Sequence, residues 1–186
     1  DYRLRVRLGK PALDVIVNQP EPITWFTLAE FWNNQPGESD TFRITLGLGK
    51  ASGTGERLFF SLSAEKQEPG VGTWEEVWPA VGGGVSDVEV PHGEWFTLEV
   101  TIVEGDSTSG RAQVRMTDTA GQTHTVADVT NWTYSPDAPA GSQDGFKDFN
   151  PLKLYTSGAL VCALKDQVPS IPLEIWWDDF AIGSPD

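Results

Sequence analysis

Apolar and polar residues alternate along most of this chain with a period of two, the period of a strand buried on one face. Tyr2–Leu8 is the clearest case, with Tyr2, Leu4, Val6 and Leu8 on one face and Arg3, Arg5 and Arg7 on the other. Thr41–Gly49 turns Phe42, Ile44, Leu46 and Leu48 inward and Arg43, Thr45 and Gly47 outward. Arg57–Glu65, Trp95–Val103 and Arg111–Thr117 follow the same rule, with Leu58, Phe60, Leu62 and Ala64, then Phe96, Leu98, Val100 and Ile102, then Ala112, Val114 and Met116 facing the core. Thr123–Val129 is a shorter strand, and Leu152–Thr156 places Leu152 and Leu154 inward with Lys153 and Tyr155 outward. Ile23–Asn34 reads as one long strand. Strict alternation puts Trp25, Thr27, Ala29, Phe31 and Asn33 on one face and Phe26, Leu28, Glu30, Trp32 and Asn34 on the other.

The closing stretch, Leu173–Ile182, mixes aromatics and acids on both faces: Ile175, Trp177, Asp179 and Ala181 on one, Glu174, Trp176, Asp178, Phe180 and Ile182 on the other. A strand this apolar belongs inside a sheet, because at an edge it invites pairing with other chains. Its natural neighbour is the first strand, antiparallel, with the arginines of Tyr2–Leu8 opposite Glu174 and Asp178 as cross-strand charge pairs.

The remaining segments are less regular. Gly9–Pro22 holds three prolines and reads as a crossing loop around a short strand, Leu13–Val17. Gln35–Asp40, Lys50–Glu56 and Glu104–Gly110 carry the polar and glycine residues of turns. Lys66–Val88 contains five glycines, yet also Trp74 and Trp78, which suits a surface loop with a short strand better than a linker. Val161–Val168 fits a strand or a helical turn, and no helix of two turns is predicted elsewhere.

Composition narrows the class. Nineteen Gly and thirteen Pro among many short apolar runs point to an all-β chain, and 186 residues suffice for one domain with a full core. A net charge of −14 opposes a nucleic-acid partner, and no run of 18 apolar residues exists to insert into a membrane. No leader segment is recognisable, as in a mature or trimmed chain. The single Cys162 sits in the apolar run GALVCAL and reads as a small buried hydrophobe. Asn131-Trp132-Thr133 fits a glycosylation sequon. No His or Cys cluster of zinc type and no phosphate-binding loop appears. His92, after Pro91, and His124, opening a strand, are the chain's two histidines and the candidates for a general base of imidazole type.

Several stretches carry a resemblance. PHGEWFTLEVTI followed after a turn by RAQVRMTD, and the ending FNPLKLYTSG…LEIWWDDFAIG, resemble the paired and closing strands of laminin-G-like and concanavalin-A-like jelly rolls. FTLAEFWNN, FRITLGLG, LFFSLSAE and PLKLYTS, in that order, are similar to jelly-roll polysaccharide lyases. The resemblance spans nearly the whole chain. It implies an all-β fold, a two-sheet antiparallel jelly-roll sandwich of concanavalin-A-like type. The lyases carry an amide and a histidine two residues apart where this chain has Trp32, Asn33 and Asn34. They place a Lys and a Tyr four apart late in the chain, whereas Lys153 and Tyr155 are two apart here. The glycosidase pattern E-x-D-x-x-E is absent, so paired hydrolytic carboxylates are missing. Calcium is implied as a structural ion held by Asp178 or Asp179, because similar modules bind one through an acid of the last strand.

The function expected is recognition of an extracellular polysaccharide or oligosaccharide in a groove on the concave sheet, by a protein secreted or held at a bacterial surface or periplasm. Sugars need flat aromatic faces and fixed polar groups. Trp32, Glu30, Lys153, Trp74 and Trp78 form the substrate-contacting set; the outward Thr45, Ser61 and Ser63 read as an ordinary solvated face. The alternative is a lyase acting on a uronate glycan by β-elimination, with Asn34 or Arg43 neutralising the carboxylate and Tyr155 as base and acid. A third reading is an interaction or structural sandwich without a glycan.

Overall fold

The computed structural model describes residues 1–19, 23, 25–34, 41–50, 57–67, 72–81, 88–138, 145–146, 148–150, 153, 155–167 and 174–183. Two antiparallel sheets form an all-β, jelly-roll-like sandwich. One is built from β1 (Tyr2–Leu8), β6 (Trp95–Val103), β7 (Arg111–Thr117), β8 (Thr123–Thr130) and β11 (Ile175–Ile182), in the order β11-β1-β6-β7-β8. The other holds β2 (Phe26–Asn34), β3 (Thr41–Gly49), β4 (Phe59–Gln67) and β5 (Trp74–Val81). Its outer edge is formed by β9 (Asp148–Asn150) and β10 (Tyr155–Thr156), both paired to β2.

The alternating strands fold as the pattern dictates, because a one-residue slip would expose every apolar side chain they carry. Tyr2, Leu4, Val6 and Leu8 of β1, with Phe96, Leu98 and Val100 of β6, pack across from Phe42, Ile44, Leu46 and Leu48 of β3 and Phe60 and Leu62 of β4. Phe60 meets Phe96 edge-on, with ring centroids 5.7 Å apart. Each such fully buried side chain contributes roughly 1.5–3 kcal/mol.

Two expectations are corrected, and the choice left open for Val161–Val168 falls to a helix. Residues 10–18, read as a loop around a strand, form helix α1 (Lys10–Asn18). Pro11 suits its first turn, and the buried Ala12, Leu13, Ile16 and Val17 follow a helical period, which outweighs the strand preference of Val15, Ile16 and Val17. Residues 158–167 form a second helix, α2 (Gly158–Gln167), whose Leu160 N–H is capped by Ser157 Oγ at 3.1 Å. Cys162 lies on the exposed side of α2 and is not a core residue.

The closing strand pairs antiparallel with β1, as expected, but at the edge of its sheet. Arg5 is registered with Asp178, Arg7 with Trp176 and Arg3 with Ala181. No ion pair links these arginines to Glu174 or Asp178 among the described residues; Arg3 pairs with Glu99 at 3.7 Å. A register shift interrupts the ladder, and Asp179 takes a positive φ of 51°. Charge and a bulge on an exposed edge are what discourage strand addition there.

The end of α1 is satisfied from a distance. The buried Lys50 Nζ donates to the carbonyls of Val17, at 2.7 Å, and Gln19. Lys50→Met keeps the apolar stem and removes these donors. We expect it to lower the unfolding free energy by about 1–3 kcal/mol, read by urea denaturation.

The turns expected at 35–40 and 51–56, and the inward Leu152 and Leu154, lie outside the described residues.

Candidate functional site

The outer face of the larger sheet holds a cleft of about 470 Å³. One irregularity in β2 determines which residues reach it. Thr27 is registered with Gly47 and Ala29 with Leu46, so the ladder shifts between them. Leu28 and Ala29, adjacent in sequence, therefore both enter the core. The bulge changes the phase of the strand: Trp25 and Thr27 before it share the outer face with Glu30 after it. This corrects the strict alternation expected for Ile23–Asn34. Gly47 stands opposite the bulge. A Cβ there would come within 2.7 Å of the Phe26 carbonyl oxygen, so no larger residue fits without displacing backbone.

The centre of the site is a charge cluster around Glu30, whose side chain is 1% exposed. Its Oε1 accepts from Arg43 Nη1 at 3.2 Å. Its Oε2 accepts from Lys153 Nζ at 2.6 Å and from Trp32 Nε1 at 3.1 Å. Arg43 donates through Nε and Nη2 to Glu65 Oε2, at 2.9 and 2.6 Å. These partners come from β2, β3, β4 and the segment beside β10, drawn to one level because Trp32, Arg43 and Glu65 are successive register partners.

Aromatic rings stand at two levels of the cleft. The Arg43 guanidinium lies 3.7 Å from the Trp74 ring centroid and 5.5 Å from that of Trp32. Four residues along β3, at the level of Gly47, Trp25 and Tyr155 meet with centroids 5.2 Å apart. That separation corresponds to roughly 13 Å of strand. Trp25 and Tyr155 are both well exposed. Lys153 Nζ sits 4.8 Å over the Tyr155 ring, joining that level to Glu30. Thr45 Oγ1, on the cleft lining, is buried and has no hydrogen-bond partner among the described residues.

The arrangement is polar but almost charge-compensated. Arg43 and Lys153 answer Glu30 and Glu65, and Glu76 on the lining leaves an excess of negative charge. Neither cation is left over for an anionic ligand among the described residues. What remains is a set of fixed hydrogen-bonding groups between aromatic faces, which suits hydroxyl-rich, uncharged molecules.

Of the residues selected from sequence, Glu30, Arg43, Trp74 and Tyr155 line the cleft, while Trp32 and Lys153 adjoin it through Glu30 and Arg43. Asn34 ends β2 opposite Thr41, and its side chain lies outside what is described. Trp78 is a correction. It is buried, 2% exposed, and its Nε1 donates to the Trp132 carbonyl at 2.8 Å. Register shifts in β4 and β5 bring Trp78 opposite the core residue Ala64 and Glu76 opposite Glu65, so Trp78 packs inside. Sequence reasoning missed Trp25, Thr27, Glu65 and Glu76. Two adjacent apolar residues, Leu28 and Ala29, in a half-buried strand are the signal that would have found the first two.

The remaining expected groups lie elsewhere. Asp178 and Asp179 are on the edge strand of the other sheet, where Asp178 Oδ1 accepts the Asp179 N–H at 2.9 Å. Among the described residues no group of three or more His, Cys, Asp or Glu gathers there. His92 faces Asp14 at 3.3 Å, and His124 faces Asp118 at 3.4 Å. The Lys10 hydrogen bond, with His92 adding to it, holds the Asp14 carboxyl below its usual range. Thr133 of the sequon is buried, with its hydroxyl donated to the Val103 carbonyl at 3.0 Å. Among the described residues no helix is long and apolar enough to cross a membrane.

No protein-family model, curated protein or solved structure matches the chain. The sandwich stands on its strand order and registers. The concanavalin-A-like membership expected from the motifs has no matching relative beside it.

Proposed function

We propose that this chain recognises an extracellular polysaccharide through the cleft on the six-stranded sheet, and that the sugar units it takes there are uncharged. One observation carries the reading: aromatic rings at two levels flank a polar floor whose cations are already held by Glu30 and Glu65. Trp74, Trp25 and Tyr155 supply faces for sugar C–H surfaces. Ser63 supplies a donor and an acceptor, and Glu65 acceptors, for hydroxyls. Binding between fixed groups loses little side-chain entropy, which favours affinity.

The lyase alternative needs a positive group or amide free to neutralise a uronate carboxylate while the C5 proton leaves. Arg43 and Lys153 are committed to carboxylates, which weighs against it. Tyr155→Phe separates the two readings. For a binding module it costs about one hydrogen bond, roughly fivefold in affinity, and the protein releases no unsaturated product from alginate or polygalacturonate. Ultraviolet-absorbing product formed by the wild type and lost by roughly a hundredfold in Tyr155→Phe would make the chain a lyase instead.

A further inference from the structure

The outer face of the other sheet contrasts with the cleft. The chain has seven arginines. Five of them hold a carboxylate: Arg3 and Arg115 share Glu99, Arg43 holds Glu30 and Glu65, Arg57 holds Glu89 and Arg111 holds Asp128. Arg5 and Arg7, two residues apart on β1, have no such partner among the described residues. With 27 acids against 13 basic residues in the chain, two adjacent unmatched arginines are not a consequence of composition.

Their surroundings explain how the pair is held. Arg5 lies over the Trp95 ring, 5.0 Å from its centroid, and Arg7 over the Trp176 ring at 4.8 Å. Trp95 and Trp176 are the register partners of Arg7 on its two flanking strands, so all four side chains share one face. Asp178, the register partner of Arg5, turns its Oδ1 to the Asp179 N–H instead. Arg7 Nε is enclosed and has no acceptor among the described residues. Stacking on an indole fixes a guanidinium plane without using the N–H edges that bind oxyanions in a fork. The two forks are spaced by roughly 7 Å along the strand.

We infer that Arg5 and Arg7, steadied on Trp95 and Trp176, form a second binding site that takes the carboxylate or sulfate groups of an acidic polysaccharide. Charge complementarity selects an anion. The acidic remainder of the molecule weighs against the denser phosphates of duplex nucleic acid, which would be repelled. This site is independent of the cleft, lies on the opposite sheet, and differs from it in having cations to spare.

The test is a tryptophan-emission titration at low salt with a polygalacturonate oligosaccharide and, separately, a sulfated galactan oligosaccharide. Saturable change is expected with at least one of them, weakened at least about tenfold in the Arg5→Gln/Arg7→Gln double variant and unchanged in Trp74→Ala, which alters only the cleft. A complementary measurement on the unaltered protein avoids dependence on the variant's folding: the bound oligosaccharide should protect Arg5 and Arg7 from phenylglyoxal, read by mass spectrometry. No saturable response to either glycan overturns the proposal. So does equal affinity in the folded double variant, or unprotected Arg5 and Arg7. A dimer in sedimentation velocity that the double variant dissolves would also overturn it, assigning the face to a second copy of the chain.

Discussion

Glu30→Ala lowers the unfolding free energy by about 3 kcal/mol and the melting temperature by roughly 6–12 °C. The carboxylate is enclosed and is the common acceptor for Arg43, Lys153 and Trp32. Its removal leaves two cations facing each other with one acceptor site gone. The penalty for an uncompensated buried charge, rather than the net worth of the ion pairs, sets the size of the effect. Arg43 keeps Glu65, and Lys153 is about one third exposed, so the loss falls at the low end of the range for breaking a buried pair. Urea denaturation with an unchanged m-value gives the number directly. A change below about 1 kcal/mol would mean that water screens the cluster as it does an ordinary surface salt bridge.

The second large effect falls on binding. Trp74→Ala should weaken the uptake of an uncharged oligosaccharide by about 30-fold, the scale of an aromatic anchor at the centre of an interface. Trp74 is half-buried on an outer strand, with Arg43 stacked against one face and Trp32 meeting it edge-on at 5.5 Å. Its loss removes the ring on which a sugar would lie and also frees the guanidinium to reorient. The fold should tolerate the change, since the core residues of β5 are Val77 and Trp78. Affinity loss and an almost unmoved melting curve together identify a binding role.

Much of this architecture was legible in the sequence, and the reasons are particular. Strands such as Thr41–Gly49 bury one face completely, so their alternation fixed both register and orientation. The pairing of first and last strands also followed from pattern. The place of β11 at the sheet edge did not, because Asp178, which looked like a partner for an arginine, serves with Asp179 an exposed, bulged edge. Helix α1 was hidden by its β-branched residues, although Ala12, Leu13, Ile16 and Val17 recur at helical spacing. At the site, Glu30, Arg43 and Tyr155 could be selected from single strands. Trp25 and Trp78 could not, because each depends on a register shift: one turns Trp25 onto the cleft, the other turns Trp78 into the core. A bulge inverts the facing of everything beyond it, and alternation alone does not report where it lies.

The charge-compensated floor also sets what the cleft should refuse. An anionic sugar would have to displace Glu30 or Glu65 from Arg43, or sit beside them and Glu76. Either route is unfavourable in a site partly shielded from water. Isothermal titration calorimetry tests this most directly, with cello-, xylo-, manno- and galacto-oligosaccharides beside oligogalacturonate, on the wild type and on Trp74→Ala. Saturable heat is expected with at least one neutral oligosaccharide, lost or greatly weakened in Trp74→Ala, and no uptake of oligogalacturonate that depends on Trp74. Silence with every neutral sugar, or uptake of oligogalacturonate that Trp74→Ala abolishes, would contradict this reading.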